Sequence, residues 1–264
     1  MTILSRALGV FIWFGYRIPI PQRIRLIKES GFKTVLHWWD DSFIDSEVFS
    51  KEEQSELIRK EGLMIEHAHL QFSHVNHLWL DTQDGQAVFE GYLSDIDGLA
   101  DYEIPVAVMH LASGQNPPYI SDIGMYRMHA LVERAEKRGV KIAIENVSNT
   151  QTLNHVLDTI ESPMFGLCYD SGHDYIWSPI PYILLEKYKD RLFAIHLHDN
   201  MGENDDHLAP GEGKVNWGIV RAGIESSVYT GSFTLEIDTT KTLASRTPQE
   251  HLMLCYKSAV SVLS

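Results

Sequence analysis

LFAIHLHDN, residues 192–200, starts as an apolar run with the composition of a buried strand and ends in two histidines, an aspartate and an asparagine. Burying such groups without partners costs on the order of several kcal/mol, so a strand that carries them must supply a partner at its end. A metal ion meets that need. The pattern is not confined to this stretch. GVFIWF (9–14), TVLHWW (34–39), GLMIEHA (62–68), IPVAVMH (104–110), VKIAIEN (140–146), FGLCYD (165–170), LFAIHLH (192–198) and SFTLEID (232–238) are all short β-rich apolar runs, eight candidate strands in all.

Segments with helical spacing alternate with these runs: Pro21–Ser30, Glu47–Lys60, Ala87–Asp101, Ile123–Lys137, Thr152–Ile160, Pro181–Asp190, Trp217–Ser226 and Pro248–Val262. Gly31, Gly62, Gly139 and Gly231 supply turn residues. Eight strand–helix units in 264 residues predict one α/β domain over 1–264, a (β/α)8 barrel, with a doubly wound open sheet as the rival. No Ser/Gly/Pro linker or low-complexity tract marks a second domain. The longest irregular stretches follow the third, fourth and seventh strands, which in a barrel places them together on the face where active sites are built.

Composition narrows the function. Lys+Arg 22 against Asp+Glu 36 gives a net charge of −14, so the average surface repels phosphate backbones and anionic membranes. The 2 cysteines, Cys168 and Cys255, lie far apart, and the amino-terminal run MTILSRALGVFIWFGYR is too short and poorly flanked for a signal peptide or a membrane span. A cytoplasmic protein is expected.

Taking only the strand ends and the loops after them collects His69, His110, Glu145, Asp170, His173, His196, Asp205, His207 and Glu236. Singly, a histidine or carboxylate at a strand end is most often a hydrogen-bonded or ion-paired group. Six consecutive strands ending this way for unrelated reasons is a far rarer coincidence. Imidazole with carboxylate suits zinc, manganese or cobalt, and nine donors exceed what one ion takes, so one to three divalent ions are expected. His37, Trp38, Trp13 and Phe72, with Trp39 and Trp79 nearby, are candidates for an aromatic substrate-binding wall, although aromatic residues at strand ends are more often core. Cys168 is expected to be a small core residue.

IEN (144–146), YDSGH (169–173), HLHDN (196–200), DDHLAPGEGKVNW (205–217) and LEID (235–238), in this order, resemble the xylose-isomerase-like TIM-barrel superfamily, over a span from about His69 to Glu236. That superfamily includes sugar isomerases and epimerases and the AP endonuclease family 2. In the epimerase branch the resemblance implies a single-metal set at Glu145, Asp170, His196 and Glu236, with Glu145 and Glu236 as catalytic base and acid. The endonuclease branch implies three zinc ions, adding His69, His110, His173, Asp205 and His207; it prefers His196 to His198 as the ligand of the HLxD pattern and leaves His198 and Asp199 as supporting groups.

Departures weigh against each branch. HLQFSHVNHLWLDTQDG (69–85) and LASGQNPPYISD (111–122) hold no Lys or Arg to grip a phosphate backbone, and YDSGHDY lacks the nuclease family's cysteine. HLHDNMGEND lacks the arginine that ketose epimerases use to hold substrate. The expectation is a metal-dependent isomerase or epimerase of a small carbohydrate: a sugar, sugar phosphate or polyol-derived keto compound; the alternatives are a zinc phosphoester hydrolase of the endonuclease type and a catalytically silent metal-binding or sugar-binding barrel. The resemblance also implies a homo-oligomer.

Overall fold

The computed structural model describes residues 5–44, 47–114, 116–238 and 246–264; the first four residues of the amino-terminal run, and Gln115 in the loop after the fourth barrel strand, lie outside them. The strands are β1 (Leu8–Phe11), β2 (Thr34–Trp38), β3 (Ser42–Ile44), β4 (Glu47–Phe49), β5 (Met64–His69), β6 (Val106–Met109), β7 (Lys141–Glu145), β8 (Phe165–Asp170), β9 (Leu192–His196) and β10 (Phe233–Leu235). Eight of them form one sheet in the order β10-β1-β2-β5-β6-β7-β8-β9, each pair parallel, while β3 and β4 make a separate antiparallel hairpin. Past the end of β9, Leu197 N–H donates to Thr234 O (2.9 Å) and Glu236 N–H to Leu197 O (3.1 Å). Those two bonds draw the edge strands together, so the sheet is a nearly closed barrel and not the open rival.

Helices α1 (Ile20–Glu29), α2 (Lys51–Lys60), α3 (Gln83–Asp101), α4 (Asp122–Arg138), α5 (Thr150–Thr159), α6 (Ser171–Trp177), α7 (Ile183–Lys187), α8 (Trp217–Glu225) and α9 (Pro248–Leu263) intervene between the strands and follow the last one. Ser50, Thr82, Ser121, Asn149, Asn216 and Thr247 each start a helix by accepting a backbone N–H with the side chain. Two expectations need correction. The helix expected from Glu47 begins at Lys51, because Ser50 is extended (φ −65, ψ 158) and forms a reciprocal capping box with Glu53, leaving Glu47–Phe49 to pair as β4. The stretch after Asp170, read as a loop, is helix α6, and Asp170 is its cap.

The main apolar core lies between the sheet and the helices, while a second small cluster of Val106, Val108, Ala143, Cys168 and Ala194 forms apart from it. Side chains two apart on a strand share a face. Val108, Ala143, Cys168 and Ala194 each precede a ligand-type residue by two positions: His110, Glu145, Asp170 and His196. Small residues thus fill the barrel interior one layer below the polar groups. Cys168 and Cys255 are both buried and unbridged. Among the described residues no helix is long and apolar enough to cross a membrane.

Candidate metal centre

All nine residues read from the strand ends meet at the carboxyl end of the barrel, in three groups. His69, His110 and Glu145 form one; Glu145, Asp170, His196 and Glu236 a second; His173, His198, Asp205 and His207 a third. Within each group the ligand atoms lie within 4.8 Å of one another. Glu145 belongs to the first two. His198, assigned a supporting role by the resemblance, sits inside the third group, fully buried, with Nε2 2.9 Å from Asp170 Oδ1. Strand periodicity carried that signal, since His198 follows His196 by two. Cys168 also reaches the centre, grouped with Glu145 and His196.

The orientation of these groups bears on what they bind. His69 Nδ1 lies 2.7 Å from Leu70 O and His207 Nδ1 2.8 Å from Glu236 O, so we assign the proton of each ring to Nδ1. Their Nε2 lone pairs then face inward, His69 toward His110 Nε2 (3.2 Å) and Glu145 Oε2 (3.0 Å), His207 toward Asp205 Oδ2 (3.2 Å). Lone pairs facing carboxylates repel unless a cation or proton lies between them. A backbone carbonyl holding one ring nitrogen while the other points at a shared centre is the usual support of a metal-bound histidine.

Several close approaches are not hydrogen bonds. His196 Nδ1 is 2.7 Å from Glu236 Oε2 and 3.3 Å from Glu145 Oε2, and His173 Nδ1 is 3.1 Å from Glu145 Oε1. Yet both His196 nitrogens, His173 Nδ1, His198 Nε2, Asp170 Oδ2 and Glu236 Oε2 are buried without a well-aligned partner. Groups so costly to leave unpaired converge on common points and not along one another's bond directions. The nitrogen and oxygen donor set fits divalent ions of the zinc class.

Electrostatics agree. Burial alone would raise the Glu145 pKa, but His196 and His110 outweigh it and hold the carboxyl well below its usual range. Glu236 is likewise pushed up by burial and brought down to about 2 chiefly by His196. Burial disfavours charged His207, but a second proton on Nε2, the alternative to a cation between that atom and Asp205, is favoured by the hydrogen bond to Asp205, which raises the pKa to about 9.

The sequence pieces around these residues have local tasks. Asn146 of IEN clamps the end of β8, its Nδ2 donating to Asp170 O (2.9 Å) and its Oδ1 accepting from Asp170 N–H (2.7 Å). Asp170 Oδ1 accepts from His173 N–H (2.6 Å), which sets His173 in the first turn of α6. Ser171 Oγ donates to His198 O (2.8 Å) and accepts from His198 N–H (3.0 Å). His207 adopts φ 45, a left-handed conformation that costs a residue with a Cβ on the order of 1 kcal/mol and recurs at functional sites.

Two cavities open over the centre. One, ≈ 690 Å³, is lined by Glu145, His173, Trp177, Asp205 and neighbouring groups; the other, ≈ 440 Å³, by Trp13, Trp38, Asp41, Asp238 and their neighbours; Phe72, His207 and Glu236 line both. Trp38, Trp13 and Phe72 therefore stand where an aromatic wall was expected. His37 does not: it is fully buried, its Nε2 3.0 Å from Lys51 O and its ring edge-on to Trp39, with burial lowering its pKa to about 4. Trp79 is also buried, donating from Nε1 to Leu111 O (2.6 Å).

Residues 24–257 match the family described as xylose isomerase-like TIM barrel, and the chain belongs to that family. It is 21% identical over 240 residues to an inosose dehydratase of Bacillus thuringiensis, covering 76% of this chain and 80% of that protein. It is 28% identical over 117 residues to a fructoselysine 3-epimerase of Escherichia coli O157:H7, covering 41% and 42%. Among solved structures, the IolI protein with a bound zinc atom superimposes with a TM-score of 0.77 at 15% identity, covering 98% of both chains. The first curated relatives are matched over less of their length, 32%, 62% and 34%.

Proposed function

We propose that the protein is a metal-dependent isomerase or epimerase of a small sugar or related polyol-derived keto compound. One observation carries the reading: Glu145, Asp170, His196 and Glu236 bring their ligand atoms within 4.8 Å of one another, under a cleft lined by aromatic side chains. The sugar chemistry of the named relatives supports it. Those four residues would hold the ion, which when bound supplies Lewis acidity toward adjacent substrate oxygens.

Glu145 and Glu236 are the proton-handling pair. Both pKa values are held low, so both carboxylates are ionised at neutral pH and either can accept a proton. Glu236, with 13% of its side chain exposed against 1% for Glu145, is the more open to substrate. Asp170 Oδ1 is engaged by the first turn of α6, so Asp170 would hold the ion through Oδ2 and take no part in proton transfer. Replacing Glu145 or Glu236 with Gln is expected to lower exchange of substrate hydrogen with solvent on the order of 10²-fold or more while metal stays bound. Undiminished exchange in both variants sinks the reading.

The donors beyond this set favour a second reading. His69 with His110, and His173 with Asp205, His198 and His207, would hold further ions, an arrangement suited to phosphoester hydrolysis. Two or three zinc ions per chain, with chelator-sensitive cleavage of an abasic-site duplex, would select it. One ion per chain and no cleavage at low salt would remove it.

A further inference from the structure

We propose that the cleft takes a two-ring substrate, with the reacting sugar over the carboxylate floor and a second, uncharged glycosyl ring in the aromatic lobe; this rests on the sugar-enzyme reading above. The two cavities share Phe72, His207 and Glu236, so they adjoin and a two-ring molecule would lie across those three residues. Each has a volume within the range of roughly 300–1,000 Å³ typical of whole ligand pockets. A lone monosaccharide over Glu145 and Glu236 leaves the second lobe unfilled.

The lining of that lobe specifies its guest. Trp38 and Phe72 stand at right angles (88°, centroids 5.6 Å apart), forming a corner of two aromatic faces. The Arg23 guanidinium lies 5.0 Å from the centre of the Trp13 ring, giving the indole a fixed backing. Asp41 and Asp238 add carboxylates at the same lobe. Apolar C–H faces of a sugar ring pack on aromatic rings while its hydroxyls donate to carboxylates.

Anionic guests fare worse. Arg23 is the one Lys or Arg among the described residues lining either cavity; it is 3% exposed, and its Nη2 already donates to Tyr16 O and Ile18 O (3.2 Å each). Among the described residues a phosphate or carboxylate substituent therefore meets carboxylates with no accessible fork to hold it. A neutral ring avoids that conflict.

Calorimetric titration of the metal-loaded protein separates these guests. The probes are fructose, the five reducing glucosyl-fructoses (linked through O1, O3, O4, O5 or O6 of fructose), fructose 6-phosphate and 6-amino-6-deoxyfructose. At least one disaccharide is expected to bind tenfold or more tightly than fructose; Trp13→Ala should bring that ratio near one, and Trp13→Phe should restore part of it. Equal affinity for fructose and all five disaccharides, or a preference for the phosphate or the amine, overturns the proposal. Binding is read independently of turnover. Preferential disaccharide binding without hydrogen exchange on any ketose would defeat the reaction and keep the lobe, whereas exchange on fructose without the preference would do the reverse.

Discussion

Asp199 and His198 are adjacent in HLHD and answer to different demands. Asp199 accepts from Asn200 N–H (2.8 Å), Gly211 N–H (2.8 Å), Val215 N–H (3.0 Å) and Trp217 Nε1–H (2.9 Å), so it fastens the long loop that carries Asp205 and His207. Asp199→Asn replaces one acceptor oxygen with an NH2 donor that faces N–H groups and is expected to cost about 1–3 kcal/mol. A urea midpoint equal to that of the parent protein would contradict this. His198, stacked on His207 at 4.0 Å, faces the third donor group instead. His198→Ala is expected to reduce metal content by one ion per chain where more than one binds, with the Glu145 and Glu236 group still loaded. Unchanged content assigns His198 to packing alone.

At the scale of an element, the turn from β8 into α6 is the most demanding part of the site. Asp170 ends the strand, caps the helix and faces His198, so one residue joins three elements. Gly172 lies where any Cβ would fall inside the His198 ring. Gly172→Ala is therefore expected to displace the imidazole and destabilise the protein by about 1–3 kcal/mol, read as a lower melting temperature together with a lower metal content. A melting temperature and metal content like the parent's would show that the turn relaxes freely. Helical spacing failed to reveal α6 because its 7 residues are too few to establish a period, and they are buried on more than one side.

Across the whole molecule, two sets of histidines are shifted in opposite directions. His37 and His251 are buried neutral, with burial the main cause that lowers each to about 4. Below the unfolded value of about 6.5 the unfolded chain binds protons that these folded sites refuse, so stability falls as pH falls toward 4. His173, His196 and His207 are raised, so below about 6.5 they are protonated in both states and contribute no slope. For metal-free protein the urea midpoint is thus expected to drop between about pH 6 and pH 4.5, with His37 alone worth up to roughly 3 kcal/mol over its full span. A flat midpoint would show that these rings take up protons in place. Chelator removal of metal should lower the melting temperature as well, since ligand-linked stability scales with ion occupancy and the converging donors are left facing one another.

The sequence by itself determined the barrel and the row of donors. Eight apolar runs with turn residues and intervening helical spacing specify strands and crossovers locally, and the side-chain period of two fixes which strand-end residues face inward. What only the tertiary structure decided is which donors share an ion and which aromatic residues face the cleft. His69 and Glu145 are 76 residues apart and meet at 3.0 Å only because β5, β6 and β7 are neighbours in a closing sheet. His37 and Trp38 are adjacent in sequence, yet the alternation of the strand and the packing of α2 send one into the core and leave the other at the cavity wall. Local pattern encodes direction relative to a strand; distance between strands exists only once the barrel has closed.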